Sequence, residues 1–185
     1  MLDKKIDIQP HLHDDLITMH PLGIDDFPAL YRVAGDALLW TGHPSSDRYK
    51  REVFTNFLQG AIESGGGMVA IDSASGEIVG CTRYYDHEIE NNCIKIGYSF
   101  VGRAYWGKGY NASMKTLMLD HIFKYVDRVY FHVAASNSIS QKAMAKLPAS
   151  IDGRADIAYF GEKSNSNLIY KLDKREWENF REKNN

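Results

Sequence analysis

A glycine-containing segment near the middle of the chain has the residue types needed to bind an anion. It reads Trp-Gly-Lys-Gly-Tyr-Asn over residues 106–111 and leads into a predicted helix. The first backbone amides of a helix have no partner within the helix, and glycine allows a phosphate to approach the main chain. Lys108 adds a positive charge at the same point. The segment therefore indicates phosphate binding, and the alternative is a tight connection that holds no ligand.

A second polar pair, Asn137 and Ser140, opens another predicted helix further along the chain. This helix covers 138–147 and follows a predicted strand over 129–134. By itself, Asn-x-x-Ser is typical of a helix N-cap with a polar first turn. Because a strand also precedes the glycine segment, the sequence predicts two neighbouring strand-to-helix junctions.

The spacing of apolar residues predicts the elements that position these groups. Residues 92–100 alternate in the manner of a strand, and apolar residues from Met114 to Tyr125 recur at the spacings of a helix. The order of elements predicts an α/β (mixed α+β) fold with a mixed sheet and helices on both faces. The other predicted strands cover 16–21, 68–72, 77–85, 151–160 and 165–172. Two further helices are predicted to begin at Asp25 and Ser46, and a terminal helix to cover 174–183.

Length and composition favour one soluble domain over residues 1–185, with a flexible tail over 1–13 and a terminal helix over 174–185. The net charge of -2 gives no general attraction for nucleic acid or for an anionic membrane. We find no apolar run long enough for a membrane span and no signal peptide, which predicts a cytoplasmic protein. Two cysteines and seven histidines show no metal-ligand spacing, so no metal is expected.

Three motifs taken together resemble one enzyme family. They are Gly-Tyr-Ser-Phe-Val at 97–101, the glycine segment at 106–111 and Asn-x-x-Ser at 137–140. Their order and spacing resemble the GNAT superfamily of N-acetyltransferases, in particular its RimJ/RimL-like branch, over about residues 14–173. The resemblance implies a GNAT-like fold with a central, mostly antiparallel sheet of about seven strands. It also implies that the strand ending at Val101 and the strand at 129–134 splay apart to admit a cofactor.

The same resemblance implies a reaction and a set of binding residues. Acetyl-CoA would be the co-substrate, and a primary amine of a protein N-terminus or small molecule would attack its thioester directly, without an acyl-enzyme. The end of the strand at Val101 would bind the pantetheine arm and the glycine segment would bind the pyrophosphate. The cofactor-binding residues so implied are Ser99, Phe100, Val101, Gly107, Lys108, Gly109, Tyr110, Asn111, Ala112 and Asn137.

The catalytic residues depart in part from the family pattern. Ser140 matches a serine proposed as a thiolate partner in the RimJ/RimL-like branch, whereas Met144 stands where many members have a tyrosine acid. Lys95 replaces a common glutamate base, which makes Glu90, at a predicted turn, the candidate base. Solvated turn residues and a water chain are the alternatives to that role. The histidines His20, His43, His87, His121 and His132 are interpreted as packing or surface residues rather than catalysts.

Two further functions remain open from the sequence. The missing tyrosine and carboxylates favour a GNAT-fold sensor or partner-binding module that holds an acyl-CoA without turnover. A nucleotide-binding protein that uses Lys108 as a phosphate clamp is the other alternative. The acceptor, the general base and the oligomeric state, including a homodimer, stay open.

Overall fold

The computed structural model describes residues 5–158 and 164–184. Eight strands and five helices within these ranges confirm the predicted mixed fold. In chain order they are β1 Leu12–His13, β2 Ile17–Pro21, α1 Phe27–Ala34, α2 Arg51–Glu63, β3 Gly67–Asp72, β4 Ile78–Glu88, β5 Cys93–Val101, α3 Tyr110–Ile122, β6 Arg128–Ala134, α4 Ser138–Met144, β7 Ser150–Ile157, β8 Asn165–Asp173 and α5 Lys174–Asn184. The end of the strand predicted over 151–160 lies partly outside the described residues.

All eight strands form one sheet in the order β1-β2-β3-β4-β5-β6-β8-β7. Every neighbouring pair is antiparallel except β5 and β6, which run parallel. The expectation of about seven strands omitted β1, whose two residues pair with β2. Residues 5–13, expected to be a flexible tail, instead lie against the fold: Ile6 and Ile8 pack on the core, and the Asp7 carbonyl is 2.7 Å from His121 Nε2.

The pairing of β5 with β6 is short, and this opens the sheet. It runs from Cys93 and Arg128 to Lys95 and Tyr130 and then stops. Beyond that point β5 remains paired with β4 as far as Val101, while β6 remains paired with β8. The two halves of the sheet therefore diverge and leave facing edges over 96–101 and 131–134. At about 3.3 Å per residue, the β5 edge is roughly 20 Å long.

Helices cover the two faces of the sheet and bury two separate cores. On one face, the buried side of α3 packs against residues of β5 and β6 such as Ile94, Ile96 and Phe131. On the other face, α1 and α2 bury Leu30, Phe54 and Leu58 against a different set of strand residues. The gap between β5 and β6 therefore lies between a face covered by α3 and a face covered by α2.

Two helix boundaries differ from the prediction. Helix α2 begins at Arg51 rather than near Ser46, because turns that end in Lys50 N–H donating to Asp47 C=O at 2.9 Å take up the intervening residues. Helix α4 ends at Met144 rather than at residue 147. Pro148 excludes Leu147 from the helix, since proline disfavours helical conformation in the residue before it. The residues between form turns, in which Lys146 N–H donates to Ala143 C=O at 3.3 Å and Leu147 N–H to Met144 C=O at 2.9 Å. Within the described ranges, none of the helices has the length and apolar character needed to cross a membrane.

Candidate active site

The glycine segment forms an open loop at the start of α3. Gly107 and Gly109 have positive φ angles of 75° and 91°, which glycine adopts without the strain that a side chain would bring. Gly109 is the N-cap of α3, and the first helical bond runs from Ser113 N–H to Gly109 C=O at 2.9 Å. The amides of residues 110–112 therefore have no acceptor inside the helix. Residues 106–109 are exposed, so the protein's own side chains do not fill this site.

Trp106 ties this loop to the end of β5. Its indole Nε1–H donates a hydrogen bond of 2.7 Å to the carbonyl of Val101. Trp106 remains 42% exposed, so this hydrogen bond, rather than burial, holds the side chain in place. Trp106 thus has a local structural role, which is to fix the loop beside the end of β5.

A β-bulge interrupts β5 where the gap begins. Gly97 faces Arg83 and Phe100 faces Cys81, so two residues, Tyr98 and Ser99, lie opposite one residue of β4. Tyr98 has a φ of 52°, a left-handed conformation that costs a side chain on the order of 1 kcal/mol. Such strain persists where the surroundings hold it and is common at functional sites.

Arg83 holds this strained residue in place from the α2 side. Its guanidinium lies 4.0 Å from the centre of the Tyr98 ring. The same group donates hydrogen bonds to the carbonyls of Gly60 and Phe57 in α2, at 3.0 and 3.2 Å. One buried arginine therefore connects the last turns of α2 to the bulge.

The backbone of β5 alternates between the β4 ladder and the gap. Gly102 N–H bonds to Val79 C=O at 2.8 Å, and the Phe100 carbonyl points at Gly80, where an added Cβ would lie 2.0 Å from its oxygen. By alternation from Phe100 and Gly102, the backbone groups of Val101 face away from β4, toward the gap, where its carbonyl accepts the Trp106 indole N–H. The bulge breaks this alternation at Ser99. Ser99 and Val101 both belong to the edge of β5 that is not paired with β6. Phe100 differs, because its backbone faces β4 and its ring packs in the α2-side core.

A buried lysine reaches the bulge from α3. Lys115 is 8% exposed, and its Nζ lies 2.8 Å from Ser99 Oγ. Ser99 Oγ in turn lies 2.8 Å from Thr82 Oγ1, so the three side chains form one connected network. The ammonium also lies 5.3 Å from the centre of the Phe131 ring on β6. Burial lowers the pKa of Lys115 from its ordinary value of 10.5 to about 7.

On the opposite face, three rings gather around Gly97. The Tyr85 ring meets the Tyr98 ring edge-on at 5.1 Å and the His132 ring edge-on at 6.5 Å. A Cβ at Gly97 would lie 3.0 Å from Tyr85 Cε1, so the residue opposite the ring must be small. Burial, aided by the nearby Lys95 ammonium, lowers the pKa of the half-buried His132. The imidazole is therefore neutral near pH 7 and able to accept a proton.

The acidic residues of the β4–β5 hairpin lie at the other end of β5. Lys95 Nζ lies 3.1 Å from Asp86 Oδ2 and 3.4 Å from Glu88 Oε1, which occupies both carboxylates. Glu90 is exposed in the turn before Cys93. Cys93 and Ser99 are six positions apart along β5, a span of about 20 Å. The structure therefore does not bring Glu90 together with Ser99 or with Ser140.

The α4 junction lies at the same end of the sheet as the glycine loop, because β5 and β6 are parallel. Asn137 caps α4, since its Oδ1 accepts the N–H of Ser140 at 3.0 Å. Ser140 is partly exposed in the first turn, whereas Met144 is buried in the α3-side core. The cap explains Asn-x-x-Ser as local structure.

Comparison with known protein families identifies this arrangement. The family described as "Acetyltransferase (GNAT) domain" matches residues 17–149. The chain belongs to the GNAT acetyltransferase family. A search of curated proteins found no match.

Solved GNAT structures share the fold at low sequence identity. A GCN5-related N-acetyltransferase from Brucella melitensis superposes with a TM-score of 0.79 at 17% identity, over 92% of this chain and 81% of that one. An acetyltransferase (GNAT family) from Bacillus anthracis gives 0.72 at 16% identity, over 90% and 99%. A ribosomal-protein-S5-alanine acetyltransferase from Vibrio fischeri gives 0.69 at 16%, over 91% and 98%. At these identities the likeness establishes the fold.

GNAT acetyltransferases use acetyl-CoA and act on amine acceptors, and the geometry of this GNAT protein fits such a co-substrate. Nothing lies within 4 Å of the position that a Cβ would take at Gly107, so a diphosphate can approach that backbone. The amides at 110–112 and the exposed Lys108 would hold the diphosphate, and the unpaired edge of β5 would hold the amide-bearing arm. Among the described residues, no cluster of side chains suited to a metal ion is found.

Sequence reasoning missed two residues of this GNAT site. Lys115 falls between Met114 and Met118 on the buried side of α3, so a lysine within an apolar stripe was the available signal. His132 alternates with Phe131 and Val133 along β6, which places it on the α2 face beside the bulge. In the sequence, a histidine in one predicted strand and a Gly-Tyr pair in the strand before it are only a weak signal of a shared site.

Proposed function

We propose that this protein is an acetyl-CoA-dependent N-acetyltransferase of the RimJ/RimL-like branch, formed by the whole chain as one domain. Its acceptor is a primary amine, either a protein N-terminus or a small molecule. The observation that carries the proposal is the edge of β5 left open beyond Lys95, which leads through the glycine loop to the amides at the start of α3 that have no acceptor inside the helix. Bound acetyl-CoA would supply an activated acetyl group to this gap.

The acceptor is proposed to approach from the α2 face. Tyr85 presents an aromatic ring there, which attracts an ammonium group by cation–π interaction, whereas the neighbouring Tyr98 ring already holds the Arg83 guanidinium. His132 lies beside them as a neutral imidazole. We assign the base role to His132 instead of Glu90, because Glu90 lies about 20 Å along the strand from the bulge. His132 would take the proton that makes the acceptor nitrogen nucleophilic.

The enzyme function is tested by two measurements on the full chain. Isothermal titration with CoA measures binding, and a thiol-release assay with acetyl-CoA measures turnover over a panel of amines. The panel includes peptides with N-terminal alanine or serine, since an S5-alanine acetyltransferase shares the fold, together with free amino acids and polyamines. Acceptor-dependent thiol release with formation of the acetylated product supports the proposal.

A sensor without turnover is the second candidate, because the position of the usual tyrosine acid holds Met144, 4% exposed in the core. Binding of CoA with no acceptor-dependent thiol release over the whole panel would favour the sensor. Binding of ATP with no binding of CoA would instead support a nucleotide-binding protein that uses Lys108.

The base assignment has its own test. His132→Gln is expected to lower kcat by roughly 10² to 10⁴-fold, the usual contribution of a general base. Glu90→Gln removes a carboxylate from the turn between β4 and β5 and is expected to keep wild-type kcat. A large loss in the Glu90 variant with none in the His132 variant would reverse the assignment.

A further inference from the structure

The structure buries a lysine where an ordinary helix would place an apolar residue. Lys115 lies in the second turn of α3 and is 8% exposed. Its neighbours on the same face, Met114 and Met118, are fully buried. Removing a charged ammonium from water is costly unless it is paired and hydrogen-bonded. A position that carries this cost is a candidate for a functional group.

No carboxylate compensates this charge within the described ranges. The polar contact of Lys115 Nζ is Ser99 Oγ at 2.8 Å, and its other close group is the Phe131 ring. Burial is the cause of its lowered pKa, about 7, with no contribution from a charged neighbour in residues 5–158 and 164–184. The ammonium therefore lies in a site that favours an added negative charge.

The position of Lys115 relates this charge to the gap. Ser99 belongs to the open edge of β5 and Phe131 to the open edge of β6. An amine that contacts both residues lies between the two strands where they begin to diverge, on the face covered by α3. His132 follows Phe131 on β6 and lies on the opposite face. The gap thus has a lysine on one face and a histidine on the other.

We propose that Lys115 is a catalytic residue of this transferase, which donates its ammonium proton to the departing thiolate. The inference rests on the proposed acetyl transfer. As the neutral acceptor amine forms its bond to the acetyl carbon, the carbon–sulfur bond breaks, its electron pair stays on sulfur, and the nitrogen releases its extra proton to water. Sulfur then takes the proton from Lys115 Nζ, which becomes a neutral amine and regains a proton from water. Lys115 would supply the acid that Met144 cannot supply.

The energetics suit this transfer. An alkyl thiol ionises with a pKa of about 8.5, so proton transfer to its thiolate from an acid with a pKa about 7 is favourable. Ser99 Oγ, held by Thr82, keeps the lysine side chain directed toward the β5 edge. The titrating group is surrounded by the hydroxyl of Ser99 on β5, the hydroxyl of Thr82 on β4 and the ring of Phe131 on β6.

The test compares Lys115→Met, which removes the proton and the charge, with Lys115→Arg, which keeps a charge that does not dissociate. Lys124→Met is the matched control, because Lys124 is exposed just beyond the same helix. We expect both Lys115 variants to lose about 10²-fold or more in kcat with the best acceptor of the panel, and the control to keep wild-type kcat. Wild-type kcat should fall at alkaline pH as Lys115 loses its proton, and Lys115→Met should lack that fall.

A second readout does not depend on turnover. The ultraviolet absorbance of the thiolate reports the ionisation of bound CoA. Below about pH 7, where Lys115 keeps its proton, the ammonium beside sulfur stabilises the thiolate, so the wild type should hold a larger thiolate fraction of bound CoA than Lys115→Met at the same pH. Calorimetry with CoA shows whether each variant keeps a folded binding site. Unchanged kcat in Lys115→Met, or identical thiol titrations in the two proteins, would overturn the role of Lys115.

The outcomes separate this inference from the function on which it depends. A wild-type protein that releases no thiol with any amine would remove the proposed function itself. An active wild type whose Lys115→Arg variant is equally active would keep the transferase and remove the proton transfer, because arginine cannot supply the proton at these pH values.

Discussion

Replacing Lys115 with methionine should stabilise the protein, by an amount that depends on pH. Burial lowers the pKa of this lysine from 10.5 to about 7. A pKa difference of 1 between the folded and unfolded chains is equivalent to about 1.4 kcal/mol, so the whole decrease corresponds to a stability cost on the order of 5 kcal/mol. Methionine has a similar length and carries no charge, and Ser99 Oγ keeps Thr82 as a hydrogen-bond partner.

The sign of the pH dependence follows from the depressed pKa. Below about pH 7 the folded and unfolded chains both hold the lysine proton, and the cost is fully present. Between about pH 7 and 10.5 the unfolded chain binds more protons than the folded one, so wild-type stability rises with pH. The advantage of Lys115→Met should therefore fall from roughly 5 kcal/mol at pH 6 to roughly 2 kcal/mol at pH 9.

Urea unfolding curves at these two pH values measure the difference directly. The exposed Lys124→Met variant serves as the control and should stay within about 0.5 kcal/mol of the wild type at both. A Lys115→Met protein less stable than the wild type at pH 6 would refute the reasoning. A stabilisation of equal size at both pH values would also refute it, since only a buried titrating amine gives the slope.

Three further predictions concern the co-substrate loop, the α4 junction and the acceptor face. Gly109→Glu should abolish CoA binding in calorimetry, because it places bulk and negative charge at a loop position with φ 91°. The control Gly65→Glu, also at positive φ with open space around it, should bind CoA normally. Equal loss of binding in both variants would show an effect of backbone strain alone. Ser140→Ala should keep CoA affinity and lower kcat several-fold, and wild-type kcat would remove Ser140 from the mechanism. Gly97→Ala places a methyl group 3.0 Å from the Tyr85 ring, so KM for the acceptor should rise several-fold with CoA affinity unchanged. A change in CoA affinity instead would contradict the assignment of Tyr85 to the acceptor side of the gap.

Local patterns in the sequence were sufficient for the element order and the glycine loop. The change from alternating residues before Val101 to helical spacing after Gly109 fixes a strand, a turn and a helix within about thirty residues. Such signals depend on neighbours along the chain, which is why they survive without tertiary information. The divergence of β5 and β6 was implied by family resemblance and has no local sequence signal.

Features that depend on register could not be predicted in the same way. The bulge at Tyr98 appears only when β5 is aligned with β4, since two residues face Thr82 there. The position of Glu90 depends on the length of the hairpin, and β4 continues to Glu88. That extension carries the turn to the far end of β5, away from the glycine loop.

The burial of Lys115 conflicts with the usual pattern of an amphipathic helix. Lysine is rarely buried, so helical spacing alone assigns it to the solvent side. The buried position of Lys115 follows from tertiary contacts, because its amine contacts Ser99 from β5 and the Phe131 ring from β6. Long-range contacts of this kind define most of the chemistry proposed for the gap.

The central claim is that the open edge of β5 and the amides at the start of α3 bind CoA together. An amide NMR titration of the full chain with CoA tests it most directly, because each backbone N–H is observed separately. The account predicts that the largest shift changes fall on residues 99–101 and 107–112, and that Gly109→Glu removes them. Saturable shifts confined to another surface, or none at all, would contradict it.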